Sequence, residues 1–141
     1  MTPDHGAHLA EAALDFVGVP FRLYGRDPAV GLDCIGLVAA SLAAIGRKPC
    51  VPAGYRLRNS NIEQWLGDAH RSSLARSDGP TLTGDVLLTA SGPAQHHLMI
   101  ALSGSWVIHA HAGLRRVVTQ PLPPTLRPLR QWRLTVHYEE I

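Results

Sequence analysis

The sequence predicts an α+β domain in which N-terminal helices pack on a small antiparallel sheet. Helical apolar spacing and helix-end signals occupy the first third of the chain, whereas short strand-like runs joined by tight turns occupy residues 85–118. Helices that precede strands, rather than alternating with them, are typical of the α+β class. At 141 residues the chain can bury a sizeable core, so we expect one domain over residues 1–141.

The predicted helices are placed by their periodicity and their end signals. Residues 7–17 carry apolar side chains at helical spacing, and residues 34–45 have helical composition between Asp33, a good N-cap residue, and Gly46. Residues 60–71 open with a capping-box pattern and predict a third helix. An extended loop is expected between the first two helices. The apolar stripe of the first helix is expected to consist of Leu9, Ala13, Leu14 and Val17.

The strand-rich half is expected to follow a polar connector over residues 72–83. Asp85 is predicted to be a turn residue, and turns rich in Ser, Gly and Pro divide residues 84–111 into three short strands. Three prolines within residues 121–124 then break regular structure. Residues 133–138 are predicted to form a final edge strand.

Composition and charge argue against several functional classes. The formal net charge is only +2, and no basic run accompanies it, so we expect no nucleic-acid partner. No apolar run approaches the ~20 residues of a membrane-spanning helix, so we expect no membrane insertion. The N-terminal residues lack the features of a signal peptide, which predicts synthesis in the cytoplasm. Two cysteines are too few for a disulfide framework, and Cys50 is expected to be a free, non-catalytic thiol.

Cys34 is the first candidate for chemistry because it lies in the first turn of the predicted helix at residues 34–45. Free N–H groups and the positive end of the helix dipole favour the thiolate over the thiol at such a position. The thiolate is the reactive form, so Cys34 is a candidate nucleophile if a base lies near it. The alternative is a small buried hydrophobe, the commonest role of a cysteine in apolar surroundings.

Two histidines in the strand-rich half are candidate partners for Cys34. His97 begins the second predicted strand and His109 lies near the end of the third, and the Ser-Gly-Ser turn between these strands returns both ends to one edge of the sheet. A thiol, an imidazole base and a polar group that orients the base form the constellation of nucleophilic cysteine catalysis. Cys34, His97 and His109 are therefore the expected catalytic residues.

The neighbouring histidines leave alternatives open. Strand neighbours alternate sides, so one of His96 and His97 is expected to face away from the cleft. His111 shares a strand face with His109 and is either its partner or a surface residue. A zinc set can be drawn from these side chains and Cys34, but no metal-binding spacing such as Cys-x-x-Cys supports it. We expect neither a metal nor a cofactor.

Several motifs, in order along the chain, resemble the NlpC-type papain-like cysteine peptidases, which cut the stem peptides of peptidoglycan. The resemblance covers roughly residues 7–118, and its register selects His97 over His96 as the base. The matching segments are Gly18-Val19-Pro20-Phe21, Asp33-Cys34-Ile35-Gly36-Leu37-Val38, Gly84-Asp85-Val86-Leu87, His97-Leu98-Met99-Ile100 and Val107-Ile108-His109-Ala110.

The resemblance implies a papain-like fold and a cell-wall endopeptidase that works through an acyl-enzyme. His97 would take the proton of Cys34 or hold the thiolate as an ion pair, and His109 would fix the tautomer of His97. Backbone N–H groups at the helix start would face the oxyanion, with Asp33 capping the helix and Gly36 keeping its first turn slim for the substrate. The implied scissile bond is the γ-D-glutamyl–diaminopimelate link.

Finer features are similar to members of this family that are encoded with phage tails and gene transfer agents. These features are the segment at residues 108–113 and the pair at residues 55–56. They imply tail-tip proteins as partners and carriage to the cell wall in a phage-like particle. Ile35 and Phe21 depart from the Ser and Tyr of many members, and Tyr24 is the candidate substitute for the missing Tyr hydroxyl.

Two other functions are compatible with the same residues. One is a structural tail-tip component whose site is vestigial or only binds a stem peptide. The other is an amidase or acyltransferase that uses the same thiol and imidazole, because a fold can host several such chemistries. No separate wall-binding module is expected in the chain.

Overall fold

The computed structural model describes four stretches of the chain, residues 5–49, 74–92, 95–122 and 126–135. The predicted helix at residues 60–71, the pair at residues 55–56 and Cys50 lie outside them. The α-helices are α1 (His5–Leu14) and α2 (Cys34–Ala44), and a short 3-10 helix spans Ser103–Ser105. The strands are β1 (Arg26–Asp27), β2 (Gly31–Leu32), β3 (Leu74–Arg76), β4 (Val86–Gly92), β5 (Gln95–Ala101), β6 (Trp106–His111), β7 (Arg116–Pro121) and β8 (Arg130–Leu134).

Six of these strands form one antiparallel sheet in the order β3-β8-β4-β5-β6-β7. The three strands predicted within residues 84–111 are confirmed as β4, β5 and β6. The predicted edge strand at residues 133–138 is wrong in two respects. The strand, β8, begins earlier, at Arg130, and it lies inside the sheet between β3 and β4. Trp132 and Leu134 of β8 are buried in the main core. The predicted polar connector contains β3, whose Leu74 pairs with Leu134.

Helix α2 is a core helix whose ends follow its local sequence. Asp33 is the N-cap and accepts a hydrogen bond from the Gly36 N–H at 2.7 Å. At the other end Gly46 has a φ of +83° and donates to the Ala43 carbonyl. The prediction for residues 34–45 is therefore confirmed to within one residue. Neither described helix has the length and apolar character to cross a bilayer.

Helix α1 is shorter than predicted, and this changes its apolar face. Leu9 and Ala13 are fully buried as expected, whereas Leu14 and Val17 are 43% and 47% exposed. The helix ends at Leu14, so the 3.6-residue period no longer places Val17 on the stripe. Phe16 packs against the core instead.

The loop predicted between the helices is a paired structure. Strands β1 and β2 form a small antiparallel hairpin directly before α2. Pro20 bridges to Arg116 of β7, and Phe21 bridges to Leu32 of β2. These contacts hold the approach to α2 against the far edge of the sheet.

Side chains of β5 alternate between two apolar clusters on opposite faces of the sheet. Leu98 and Ile100 belong to the main core, which contains α1 and α2 residues. Met99 and Ala101 belong to a smaller second cluster on the other face. Strand β6 alternates in the same way, with Val107 in the second cluster. The position of a residue along β5 or β6 therefore tells which face its side chain occupies.

Asp85 is a buried anchor, and its prediction as a turn residue was incomplete. Its backbone lies at the turn before β4, where its N–H donates to Leu82. Its side chain, however, is 1% exposed and forms two hydrogen bonds with Arg133 of β8, Nε to Oδ1 at 2.9 Å and an Nη to Oδ2 at 2.8 Å. A bidentate pair of this kind ties the start of β4 to β8.

We expect Asp85→Ala to lower the free energy of unfolding by about 2 kcal/mol, because it removes a charge-assisted pair and leaves Arg133 with only the Pro80 carbonyl as acceptor. Urea unfolding measures the change. Asp78→Ala is the matched control, since Asp78 is 86% exposed and its pair with Arg76 is longer. We expect it to stay within about 0.5 kcal/mol of the parent. Equal losses in the two variants would contradict the anchoring role.

Candidate active site

The start of α2 is held by one buried carboxylate. Asp33 is 0% exposed and accepts hydrogen bonds from the main-chain N–H groups of Gly36 at 2.7 Å and Tyr24 at 2.8 Å. It also accepts one from the guanidinium of Arg26 at 3.1 Å. The side chain is therefore turned into the protein, where it fixes the helix start against the β1–β2 hairpin. Asp33 supports the position of Cys34 and is not open to a substrate.

Gly36 is required by the packing of the protein itself. A Cβ atom at this position would overlap the carbonyl oxygen of Gly25 and lie 3.3 Å from the Arg26 guanidinium. The close neighbour of the first helical turn is therefore the hairpin backbone. The expectation that Gly36 leaves room for substrate is replaced by this internal contact, which a single sequence does not reveal.

Gly36→Ala is expected to destabilise the protein by about 2 kcal/mol, because backbone cannot yield to an added methyl as a flexible side chain can. Chemical unfolding measures the loss. Gly79→Ala is the control, since a Cβ there meets nothing within 4 Å, and we expect a change within about 0.5 kcal/mol. A Gly36→Ala variant as stable as the control would show that the hairpin moves away freely.

Cys34 is the first residue of α2 and is 1% exposed. The main-chain N–H groups of Leu98, Ile35 and Cys34 itself each act to lower the pKa of its thiol. These donors favour the thiolate, as the helix-start position predicted. Burial outweighs them, the charge of Asp33 adds to it, and the pKa of Cys34 rises to about 12. The expected thiolate is thus wrong for this structure, because Cys34 rests as a neutral thiol.

The gap between β5 and β6 explains how the buried thiol of Cys34 comes near the backbone of β5. The β5–β6 ladder contains only the pairs Ile100–Ile108 and Ala101–Val107. Earlier residues of β5 have no ladder partner in β6, so the two strands diverge there. The Leu98 N–H lies in this diverging part and reaches the sulfur of Cys34. The thiol therefore meets β5 at the residue that directly follows His97.

His97 and His109 are in direct contact across this gap. Nε2 of His97 lies 2.7 Å from Nδ1 of His109, and the two rings meet edge to face. His109 is 4% exposed and His97 is half-buried. By strand alternation His97 lies with Met99, and His109 with Val107, on the face of the second cluster.

Of the three expected catalytic side chains, the structure brings His97 and His109 into contact, whereas Cys34 lies at the start of α2 on the main-core side of β5. Within the described residues, no hydrogen bond joins Cys34 Sγ to the His97 ring. The sulfur approaches β5 from the side of the main core, whereas the ring lies on the other face. Catalytic contacts are often loose before substrate binds, so this arrangement is compatible with proton transfer after a movement of His97.

Both imidazoles are held neutral. The pKa of His97 is lowered to about 3, mainly by burial and in part by the nearby His109 and His111. Burial also lowers the pKa of His109, although the Gln120 side chain opposes this effect. Because both His97 and the Cys34 thiol are neutral at rest, His97 can act as a general base but does not form a preformed ion pair with the sulfur.

A cleft of about 310 Å³ opens on the face where these rings lie. Tyr24 is not among the residues that line it. Tyr24 is 47% exposed, has a φ of +63° and donates its main-chain N–H to Asp33. The expected replacement of a missing hydroxyl by Tyr24 is therefore not supported. The lining residues are Phe21, His96, His97, Met99, His109, Ala110, His111, Ala112, Gly113 and Gln120.

The neighbouring histidines take separate positions around the cleft. His96 and His97 both border it, although strand alternation directs their side chains to opposite faces of β5. Only His97 of the two pairs with His109. His111 accepts a hydrogen bond from the Leu114 N–H at 3.1 Å and lies beside the His109 ring. No group of three or more potential ligands within the described residues is arranged to hold a metal.

Gln120 is the lining residue that sequence reasoning missed. It lies in β7, and Val118, two residues before it, pairs with His109 of β6. Gln120 is therefore a diagonal neighbour of His109 on the same face of the sheet. The alternation of β7 could have indicated this only once the β6–β7 register was known.

The fold and this site agree with comparisons to known proteins. The sequence profile of the NlpC/P60 family matches residues 18–125, and the chain belongs to this family. Its members are generally cysteine peptidases that hydrolyse peptidoglycan. Comparison with curated proteins gave no match.

Solved structures show the same papain-like α+β fold. The NlpC/p60 domain of the peptidoglycan hydrolase SagA is 22% identical, with a TM-score of 0.60 over 94% of this chain and 100% of that chain. NlpC1 from Trichomonas vaginalis is 17% identical, with a TM-score of 0.68 over 94% and 46%. A family protein from Bacillus cereus ATCC 10987 is 22% identical, with a TM-score of 0.66 over 95% and 41%. The chain spans less than half of the last two.

Proposed function

We propose that this chain is a cysteine endopeptidase that cleaves an amide bond in the stem peptide of peptidoglycan. Cys34 is the nucleophile, His97 the general base and His109 the residue that orients His97. The observation that carries the proposal is the meeting of three features at one point of β5. The imidazole pair is 2.7 Å apart, it lies where β5 and β6 diverge, and the next N–H of β5 reaches the sulfur of Cys34.

The first chemical step follows from the protonation states of the resting site. Nε2 of His97 faces His109, so Nδ1 is the nitrogen left to take the thiol proton. A rotation of the His97 side chain toward the gap brings Nδ1 to the sulfur. The proton then moves from Sγ to Nδ1, and the thiolate attacks the carbonyl carbon of the substrate.

The remaining steps use groups already present at the helix start. The N–H groups of Cys34 and Ile35 lie at the helix start beside the attacking sulfur, and in the proposed mechanism they donate to the oxyanion that forms on the substrate carbonyl oxygen. The C–N bond breaks, and the imidazolium gives its proton to the leaving amine. Water, deprotonated by His97, then hydrolyses the thioester and restores the thiol.

The substrate bond and the place of action extend the proposal. By resemblance to the family, we assign the cleavage to the γ-D-glutamyl–diaminopimelate link. The segment at residues 108–113 supports carriage by a phage-like tail, with tail-tip proteins as partners and the cell wall as the site of action. Its His109 and His111 border the cleft, so the segment that suggests this subgroup is also part of the site.

The test is digestion of purified peptidoglycan, with mass analysis of the released fragments. Cleavage between γ-D-glutamate and diaminopimelate is expected, and Cys34→Ala should release nothing. Fragments cut at the bond between the glycan and the peptide would instead indicate an amidase. Binding of peptidoglycan without any release by the parent protein would favour the binding-only function, which the 1% exposure of Cys34 makes a specific alternative.

Particle carriage has a separate test. Mass spectrometry of purified phage-like particles from the source cells should detect this chain together with tail proteins. Its absence from such particles would remove the tail assignment and leave the proposed peptidase activity untouched.

A further inference from the structure

One nitrogen of the histidine pair has no hydrogen bond. His109 uses Nδ1 for its contact with His97, and its Nε2 is buried without a partner of normal geometry within the described residues. A buried N–H group is rarely left unpaired, because it costs free energy comparable to a lost hydrogen bond. The group that can satisfy this nitrogen must lie on the same face of the sheet.

Gln120 is placed to be that group. It borders the same cleft as His109, and the β6–β7 register makes it the diagonal neighbour of His109 on that face. Its side-chain interaction favours the protonated form of His109, against the effect of burial. The contact is looser than a normal hydrogen bond in this structure, so a small shift of the amide is needed to complete it.

Which of the two rings donates the proton that they share decides whether His97 can act as a base. If His97 donates from Nε2 to His109, its Nδ1 is bare and can accept the thiol proton, and His109 then carries its own proton on Nε2. If His109 donates from Nδ1 instead, the neutral His97 carries its proton on Nδ1 and cannot accept one there. An acceptor at Nε2 of His109 selects the first state.

We propose that Gln120 is a positioning residue whose side-chain carbonyl accepts the Nε2 proton of His109 and thereby fixes His97 in its basic tautomer. His97, His109 and Gln120 then form a continuous chain of hydrogen bonds across β5, β6 and β7. This inference rests on the proposed function and adds a fourth member to its site.

The kinetic test compares three variants at a fixed pH on peptidoglycan. Gln120→Leu keeps a similar side-chain length without an acceptor, and we expect kcat to fall on the order of 10- to 100-fold with little change in KM. Gln120→Glu keeps an acceptor and should retain more activity than Gln120→Leu. Thr119→Val is the control, because Thr119 directly precedes Gln120 in β7 and its side chain faces the other side of the sheet.

The pH profile separates positioning from a general loss of structure. The titratable groups around the cleft are His96, His97, His109 and His111. A carboxylate in Gln120→Glu stabilises a protonated imidazole, so the acid limb of kcat/KM should move to higher pH than in the parent. An unmoved acid limb, together with unchanged kcat in Gln120→Leu, would overturn the inference.

A second measurement needs no substrate and so distinguishes failure of this inference from failure of the proposed function. Nitrogen-15 chemical shifts of the imidazoles tell protonated from bare nitrogens. In the parent, Nε2 of both His97 and His109 should carry the proton, and Gln120→Leu should move His109 toward the other tautomer. The inference fails if Nε2 of His109 is bare in the parent, or if the shifts do not respond to Gln120→Leu. If the parent protein did not cleave peptidoglycan, the proposed peptidase activity would be rejected, while the role of Gln120 would still be decided by these chemical shifts.

Discussion

Cys34→Ala is expected to abolish release of peptidoglycan fragments, with kcat falling on the order of 10³-fold or more. Without the sulfur no acyl-enzyme can form, and the remaining groups have no nucleophile to activate. The assay is release of stem-peptide fragments from purified peptidoglycan over time. Because alanine keeps the small apolar character of a residue that is 1% exposed, the variant should still fold.

Cys34→Ser supplies the matched control for this prediction. It keeps a nucleophilic atom in the same position, but a hydroxyl is far less reactive than a thiol at neutral pH. We expect residual activity close to that of Cys34→Ala, with unchanged circular dichroism in both variants. Substantial fragment release by the alanine variant would show that Cys34 is a structural thiol, the alternative that its burial favours.

His97→Ala has the second largest expected effect, a loss of about 10²- to 10⁴-fold in kcat. The neutral thiol makes this dependence strong: the pKa of Cys34 is about 12, so almost no thiolate exists until a base removes the proton. No preformed thiolate–imidazolium ion pair is present that could supply the thiolate without this proton transfer. Steady-state kinetics on a soluble stem peptide would measure kcat and KM separately.

His96→Ala tests the register behind this assignment. His96 precedes His97 and borders the same cleft, but only His97 contacts the ring of His109. We therefore expect His96→Ala to lose far less activity than His97→Ala. The opposite ranking would make His96 the base and would separate the imidazole pair from the chemistry.

Local signals predicted the helix that carries the candidate nucleophile. Asp33 as N-cap and Gly46 as terminator place α2 to within one residue, because capping depends only on neighbours along the chain. The contact of His97 with His109 also followed from short-range information, since a tight turn joins their strands. The candidate site was therefore accessible wherever its parts are close in sequence.

Long-range pairing set the limits of the sequence analysis. The place of β8 between β3 and β4 joins residues more than 40 positions apart, and so does the pair of Asp85 with Arg133. Gln120 has the composition of an ordinary polar strand residue, and only the β6–β7 register brings it to His109. No periodicity or cap residue encodes such registers.

The state of the thiol could not be predicted for a different reason. A helix start and free N–H groups favour the thiolate, and both are present at Cys34. The sign of the shift is decided by burial beneath the sheet, a property of the assembled core. Local sequence identifies the N–H donors, but it does not tell how completely the assembled core excludes solvent from the sulfur.

The concealment of Cys34 has a consequence for durability. Peroxides and other oxidants attack cysteines in proportion to their thiolate character and accessibility. Cys34 has little of either, since its pKa is about 12 and its surface is almost entirely covered. We therefore expect the stored protein to keep this sulfur reduced in an oxidising medium, and in the proposed mechanism its reactivity emerges only when His97 removes the proton.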